Sequence, residues 1–253
     1  MLEIKNLSRS FGGLQAVSDI SFSLVEGMIK AVIGPNGAGK TTLFNLICGN
    51  IPLSAGTIRF QGQHIERLKS HQIAALGMSR TFQNIKIFPG MTALENVMVG
   101  CHTRSRAGFI AAMLRLPQTF REEREIRRRS LELLELVEIP QTADCEAASL
   151  SFGQQRAVEL ARALAAGPSL LLLDEPAAGL NIYETAELAR LITKIKELGV
   201  TILLVEHDMS LVMDISDEIV VLDFGRKLAE DIPARIQQNR AVIQVYLGDD
   251  EDA

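Results

Sequence analysis

Gly34-Pro35-Asn36-Gly37-Ala38-Gly39-Lys40-Thr41 stands between a strand signal and a helix signal. Upstream, residues 29–33 (Ile-Lys-Ala-Val-Ile) are short, mostly apolar and rich in β-branching, the pattern of a buried strand. Downstream, Thr42-Leu43-Phe44-Asn45-Leu46-Ile47 carries apolar side chains at helical spacing and opens a helix. The order strand, G-x-x-x-x-G-K-T, helix separates a phosphate-binding loop from an ordinary Gly-rich turn. Glycines let the backbone fold tightly, so that successive N–H groups converge on a phosphate. The helix start adds unpaired donors and the positive end of its dipole. In such a loop Lys40 reaches the β- and γ-phosphates, and the Thr41 hydroxyl binds Mg²⁺. The stretch predicts a site for a nucleoside triphosphate.

The bulk properties bound the rest. At 253 residues and 47% apolar content the chain can bury a full core as one domain, or as one domain with an inserted subdomain. A formal net charge of -5 argues against nucleic acid as the main partner. Three cysteines (Cys48, Cys101 and Cys145) form no framework spacing, which fits a reduced, cytosolic compartment. Met1-Leu2-Glu3-Ile4-Lys5 alternates like a strand and not like a signal segment. The longest apolar runs fall well short of the ~20 residues that span a bilayer, so membrane association is expected through a partner.

Working outward, residues 2–7 and 20–25 read as short alternating strands, with a Ser/Gly-rich turn between them that carries Phe11. Residues 57–61 read as a strand, 72–76 as a brief helix and 78–82 as a strand ending at Gln83. From about 84 to 150 helical patterns dominate, notably 92–99 and 122–137, which suggests an inserted helical subdomain. Glu123 and Glu125 each precede an arginine by four residues, as on a solvated helix. Residues 109–116 are apolar with a single Arg and are expected to pack within that subdomain in preference to touching a membrane partner. After 151, helices (151–166, 182–198, 209–215) alternate with strands (170–173, 201–205, 218–222), so a largely parallel sheet covered on both faces is expected. Residues 234–247 read as helical and 249–252 as an acidic frayed end.

Leu170-Leu171-Leu172-Leu173-Asp174-Glu175-Pro176 is a buried strand ending in two carboxylates. In P-loop enzymes the first such carboxylate holds Mg²⁺, directly or through water. The second, Glu175, would lie near the γ-phosphate and accept a proton from attacking water. Leu150-Ser151-Phe152-Gly153-Gln154-Gln155-Arg156 opens the preceding helix, with Ser151 as its N-cap.

The P-loop, Leu-Ser-x-Gly-Gln and Leu-Leu-Leu-Asp-Glu-Pro, in this order, resemble the nucleotide-binding subunit of an ATP-binding-cassette (ABC) transporter, from Leu2 to about Gly248. The resemblance implies an α/β P-loop NTPase fold with a largely parallel central sheet, an N-terminal antiparallel β-subdomain and an inserted helical subdomain. One domain, 1–253, would comprise a core (1–83 and 151–253) and a helical part (84–150). It implies ATP and Mg²⁺ as cofactors, with Gly34, Pro35, Asn36, Gly37, Ala38, Gly39, Lys40, Thr41 and Thr42 around the phosphates. Phe11 would stack on adenine beside Val17, and Gln83 would reach Mg²⁺ and the attacking water. Asp174 and Thr41 would complete the metal site, Glu175 would be the base, and His207 would contact the γ-phosphate. Ser151 and Gly153, with Gln154 beside them, would contact the nucleotide of the opposite subunit. Two positions depart from the usual pattern: Phe152 stands where Gly is common, and Asn181 where the motif after Pro176 ends in Asp. His64, His71 and His102 fall in loops or amphipathic stretches and are expected to be solvated.

Within ABC proteins the chain is most similar to ATPases of branched-chain (hydrophobic) amino-acid uptake. The stretches that carry this are Phe11-Gly12-Gly13-Leu14-Gln15-Ala16-Val17, Arg80-Thr81-Phe82-Gln83-Asn84-Ile85-Lys86-Ile87-Phe88, Ala177-Ala178-Gly179-Leu180-Asn181, Glu206-His207-Asp208-Met209 and Val245-Tyr246-Leu247-Gly248. The implied partners are two membrane permeases, a second ATPase subunit and, indirectly, a solute-binding protein, at the cytoplasmic face of the inner membrane. Other cargoes, lipid export included, share these motifs. A soluble ABC ATPase of translation or DNA repair would usually fuse two cassettes or insert a coiled coil. A guanine-nucleotide switch would need an Asn-Lys-x-Asp motif, which this sequence lacks.

Overall fold

The computed structural model describes residues 1–101 and 117–247. By its contacts the chain divides into two compact units, one of residues Met1–Arg80, Ser169–Ala177 and from Thr185 on, the other of Thr81–Pro168 and Ala178–Glu184. The second unit includes the helix that follows Ser151.

The first unit holds two sheets. Strands β1 (Leu2–Phe11), β2 (Leu14–Leu24), β4 (Ala55–Phe60) and β5 (Gln63–His64) form an antiparallel sheet in the order β2-β1-β4-β5. Six further strands pair in the order β10-β9-β3-β8-β7-β6. These are β3 (Ile29–Ile33), β6 (Met78–Arg80), β7 (Leu170–Asp174), β8 (Thr201–Val205), β9 (Glu218–Asp223) and β10 (Arg226–Asp231). All neighbours are parallel except the edge pair β9/β10. Every residue of β3, β7 and β8 is buried, which is why these strands read as continuous apolar runs without alternation. Buried Lys30 in β3 is the exception in kind, and its Nζ lies 2.8 Å from Glu218 and 2.6 Å from Glu230. Helix α1 (Lys40–Ile47) supplies Leu43, Phe44 and Ile47 to a core shared with Ile4 and Ile20 of one sheet and Leu172 and Val205 of the other. The unit also contains α2 (Ser70–Ala75).

The second unit contains helices α3 (Ala93–Cys101), α4 (Pro117–Leu136) and α5 (Phe152–Ala165). Fully buried Asn96 organises its loop: its amide donates to the carbonyls of Phe88 and Thr92, and its carbonyl accepts from the Phe88 amide. Glu125 bridges exposed Arg128 and Arg129 on α4; the Arg129 pair is the four-residue spacing expected, whereas Arg127 pairs with Asp144. Helix α6 (Ile182–Glu197) starts in this unit and continues in the first. The first unit ends with α7 (Met209–Ile215), α8 (Pro233–Ile236) and α9 (Arg240–Leu247).

Several sequence expectations need correction. The first two strands run to Phe11 and from Leu14, beyond 2–7 and 20–25, because β-bulges break the two-residue period that marks a strand. Asn6 (φ 49°) and Asp19 (φ 54°) sit at those irregularities, joined by a 2.7 Å side-chain hydrogen bond. Phe11 therefore ends β1, and the turn is Gly12-Gly13, both at positive φ as a tight hairpin requires. Strand β6 stops at Arg80 and not at Gln83, since pairing with β7 ends at Arg80 opposite Leu172. Residues 234–247 are helical as expected, in two short helices, because Asn239 interrupts them and caps the second by accepting from the Ala241 amide. Strand β10 was not expected, its sequence being polar and half exposed. Residues 109–116, His102 and the acidic 249–252 lie outside the described residues.

Candidate functional site

In a parallel sheet, loops that leave the carboxyl ends of adjacent strands share one rim, where ligands of such folds bind. Here the neighbours β3, β8, β7 and β6 deliver to that rim the P-loop, Glu206-His207, Asp174-Glu175 and Arg80. Gly34 and Gly39 are obligatory, since both have positive φ and a Cβ would collide with the backbone oxygens of Leu222 and Ala16, respectively. Lys40 begins α1 and turns its Nζ back onto the loop, donating to Gly34 O at 2.6 Å and Pro35 O at 3.0 Å. Burial holds its pKa below the ordinary 10.5, opposed by the nearby charges of Glu175 and Asp174. Thr41 is exposed and Thr42 half-buried at the start of α1. Val17 is fully buried and packs beside Gly39, whereas Phe11 is 43% exposed with the Arg9 guanidinium 4.6 Å over its ring.

Asp174, 3% exposed at the tip of β7, accepts a 2.6 Å bond from Arg80 Nη2. The other arm of that guanidinium donates to Asn45 Oδ1 on α1 at 2.7 Å. Glu175 adopts φ 48°, a left-handed conformation that costs a non-glycine residue on the order of 1–2 kcal/mol. Its amide is anchored to Val205 O at 2.8 Å, and its Oε2 lies 3.9 Å from His207 Nδ1. Such strain held by neighbours is characteristic of functional positions.

Glu206 is fully buried between these groups. One carboxylate oxygen accepts from the Ala177 amide at 2.7 Å, and the other from the amides of His207 (2.8 Å) and Asp208 (3.2 Å). Sequence reading passed over Glu206, although a carboxylate directly after the apolar run 201–205 repeats the signal that marked Asp174. Arg80 and Asn45 were also missed, and nothing in their spacing marks them. Replacing Glu206 by Gln turns one acceptor into a donor facing an N–H group. The expected cost is about 1–3 kcal/mol of stability, read from urea unfolding, with reduced ATP turnover.

In the other unit, Ser151 caps α5. Its hydroxyl accepts from the Gln154 amide at 3.4 Å, while the Gln154 side chain accepts from the Ser151 amide at 3.1 Å. This reciprocal capping box explains the Ser-x-x-Gln spacing locally. Phe152 is 48% exposed and its ring covers Gly179. Asn181 accepts from the amides of Tyr183 (2.9 Å) and Glu184 (3.1 Å). It therefore does the capping work that Asp would do equally well. Arg156 of α5 donates to Phe82 O at 2.9 Å and Gln83 O at 3.1 Å, and pairs with buried Glu159 at 3.3 Å. Burial pushes the Glu159 carboxyl up, with the Lys86 amide and Arg156 opposing. Gln83 is thus set by its backbone, through an arginine of α5, and not by a strand. Of the remaining histidines, His64, in β5, is exposed as expected though bonded to Glu66 and Arg59, and His71 is exposed on α2.

Residues 17–178 match the family of ABC transporters. The chain belongs to the ABC transporter ATPase family. A shorter match, residues 226–252, is to the branched-chain amino acid ATP-binding cassette transporter family. The cassette is 45% identical, over 98% of both chains, to the high-affinity branched-chain amino acid transport ATP-binding protein BraF of Pseudomonas aeruginosa. Among solved structures it is similar to the ADP conformation of MJ1267, an ATP-binding cassette of an ABC transporter. That match has a TM-score of 0.85 at 28% identity, covering 98% of this chain and 99% of the other. It also resembles the dimeric post-hydrolysis state of the cassette MJ0796 bound to ADP and Pi, with a TM-score of 0.78 at 26% identity and coverage of 92% and 99%. The cassette fold, with its P-loop, parallel sheet and antiparallel sheet, is the one expected from sequence. Among the described residues no helix is long and apolar enough to cross a membrane.

Proposed function

We propose that this cassette hydrolyses ATP to power uptake of branched-chain or other hydrophobic amino acids through partner permeases at the cytoplasmic face of the inner membrane. The observation that carries the cargo is the match of residues 226–252 to a family defined by branched-chain amino acid transport, reinforced by the full-length likeness to BraF. The observation that carries the chemistry is the shared rim of Lys40, Asp174, Glu175 and His207.

The residues do distinct work. Lys40 exchanges its two loop carbonyls for phosphate oxygens and brings a charge with it. Glu175 accepts the proton of attacking water, and His207 bonds the γ-phosphate. The hydroxyl of Thr41, the carboxylate of Asp174 and the amide oxygen of Gln83 are hard donors of the kind Mg²⁺ takes. Bound with the nucleotide, Mg²⁺ would neutralise charge on the phosphates. Phe11 and Val17 receive the adenine. Ser151, Gly153 and Gln154 complete the pocket of a second cassette, a reading supported by the dimeric state of MJ0796. Closure of two cassettes over ATP is then the work step.

Purification from native membranes in mild detergent tests this reading. Two integral-membrane proteins and a second cassette should accompany the chain, and purification with soluble partners alone would refute transport. Ser151→Asn keeps a good helix cap while enlarging the side chain. It should lower turnover of the assembled complex and leave ATP binding to the isolated chain intact. Loss of ATP by the isolated chain would refute the cross-subunit role.

A further inference from the structure

Arg80 occupies an unusual position for an arginine. Its side chain is 9% exposed, at the last residue of β6, opposite Leu172 of β7 and two residues short of the level of Asp174. One arm of the guanidinium bonds Asp174 Oδ2 at 2.6 Å and the other bonds Asn45 Oδ1 at 2.7 Å. Its carbon lies 5.6 Å from the centre of the Phe44 ring, on the same helix as Asn45. Bonds to two different elements, with a ring beside it, set the plane of the fork.

We propose that Arg80 is a positioning residue for the metal carboxylate, bracing Asp174 against the helix that starts at the P-loop. The inference rests on the reading of Asp174 as the Mg²⁺ carboxylate. With Oδ2 pinned, the carboxylate cannot rotate about its Cβ–Cγ bond, so a cation meets one orientation. Because Asn45 belongs to α1, the same guanidinium ties the carboxylate to the helix carrying Thr41. Two of the proposed oxygen donors, Thr41 and Asp174, 133 positions apart in sequence, are thereby held in register. A planar fork does this better than an ammonium group, which makes point contacts with no fixed plane between them. The guanidinium also cancels part of the carboxylate charge, so the arrangement trades raw attraction for geometry. Partners that orient a metal ligand characteristically contribute about 10–100-fold in metal affinity.

The test uses the full chain with ATP and Mn²⁺, the cation being read by its EPR signal. Arg80→Met should raise the half-saturating Mn²⁺ concentration by about tenfold, with metal-free ATP affinity in EDTA unchanged. Arg80→Lys and Asn45→Ala should shift it in the same direction by less. Equal loss of ATP affinity with and without metal would show a merely structural arginine, and tighter metal would show a competing cation; either overturns the proposal. If Arg80→Met fails to fold, the two milder variants decide, and parental metal affinity in both overturns it. Asp174→Asn separates the two levels of inference. If it abolishes the metal dependence while the Arg80 variants do not change it, the brace alone fails. If Asp174→Asn leaves Mn²⁺ binding intact, the underlying metal assignment fails with it.

Discussion

Glu175→Gln should hold ATP and stop hydrolysing it. The amide is nearly isosteric with the carboxylate, so the strained φ of 48° and the bond from its amide to Val205 O survive the change. What disappears is the ability to take a proton from water, a contribution of about 10²–10⁴-fold in rate for a positioned base. Turnover should fall by about a thousandfold, as measured by phosphate release, while the dissociation constant for ATP stays where it was. Two cassettes that close but cannot hydrolyse should accumulate as an ATP-dependent dimer on size-exclusion chromatography. Unchanged phosphate release would remove Glu175 as the base. The second expectation, the dimer, tests closure independently of the chemistry.

Lys40→Met should weaken ATP binding where Glu175→Gln preserves it. The Lys40 ammonium already sits over the loop, held by Gly34 O and Pro35 O at 2.6 and 3.0 Å. Exchange of those two neutral acceptors for phosphate oxygens yields charge-assisted bonds of about 1.5–3 kcal/mol each. Loss of about 3 kcal/mol weakens binding roughly a hundredfold, which equilibrium titration with a fluorescent ATP analogue resolves. The protonation state gives a second handle. Burial holds Lys40 below its ordinary 10.5 despite the pull of Glu175 and Asp174. The neutral amine cannot make the charged contact, so ATP affinity should weaken as pH rises through that lowered pKa. The loss should begin below the pH at which an ordinary lysine deprotonates, and it should be missing from Lys40→Met.

What could be read from the sequence was what is contiguous. The P-loop, the carboxylates after 170–173 and the histidine after 201–205 each sit at the end of a run whose composition declares a buried parallel strand. Their convergence followed from topology, because parallel strands must deliver their carboxyl ends to one edge. Contacts assembled across the chain were not readable in the same way. Asn45 and Arg80 are 35 residues apart and meet only because α1 packs beside β6 and β7. The lengths of β1 and β2 were underestimated for a different reason, since Asn6 and Asp19 interrupt the alternation at bulges and imitate a loop. Gln83 was expected at a strand end, and the residue that holds its backbone, Arg156, lies 73 positions further on.

Glu206 divides its two oxygens between the amide of Ala177 on one side and those of His207 and Asp208 on the other. The segments that follow β7 and β8 therefore share a single fastener. Neither can be drawn away by itself without leaving a buried carboxylate oxygen short of its donor, a cost of about 1–3 kcal/mol. The catalytic rim should accordingly reset in one stroke, and half-moved arrangements should be too thinly populated to trap.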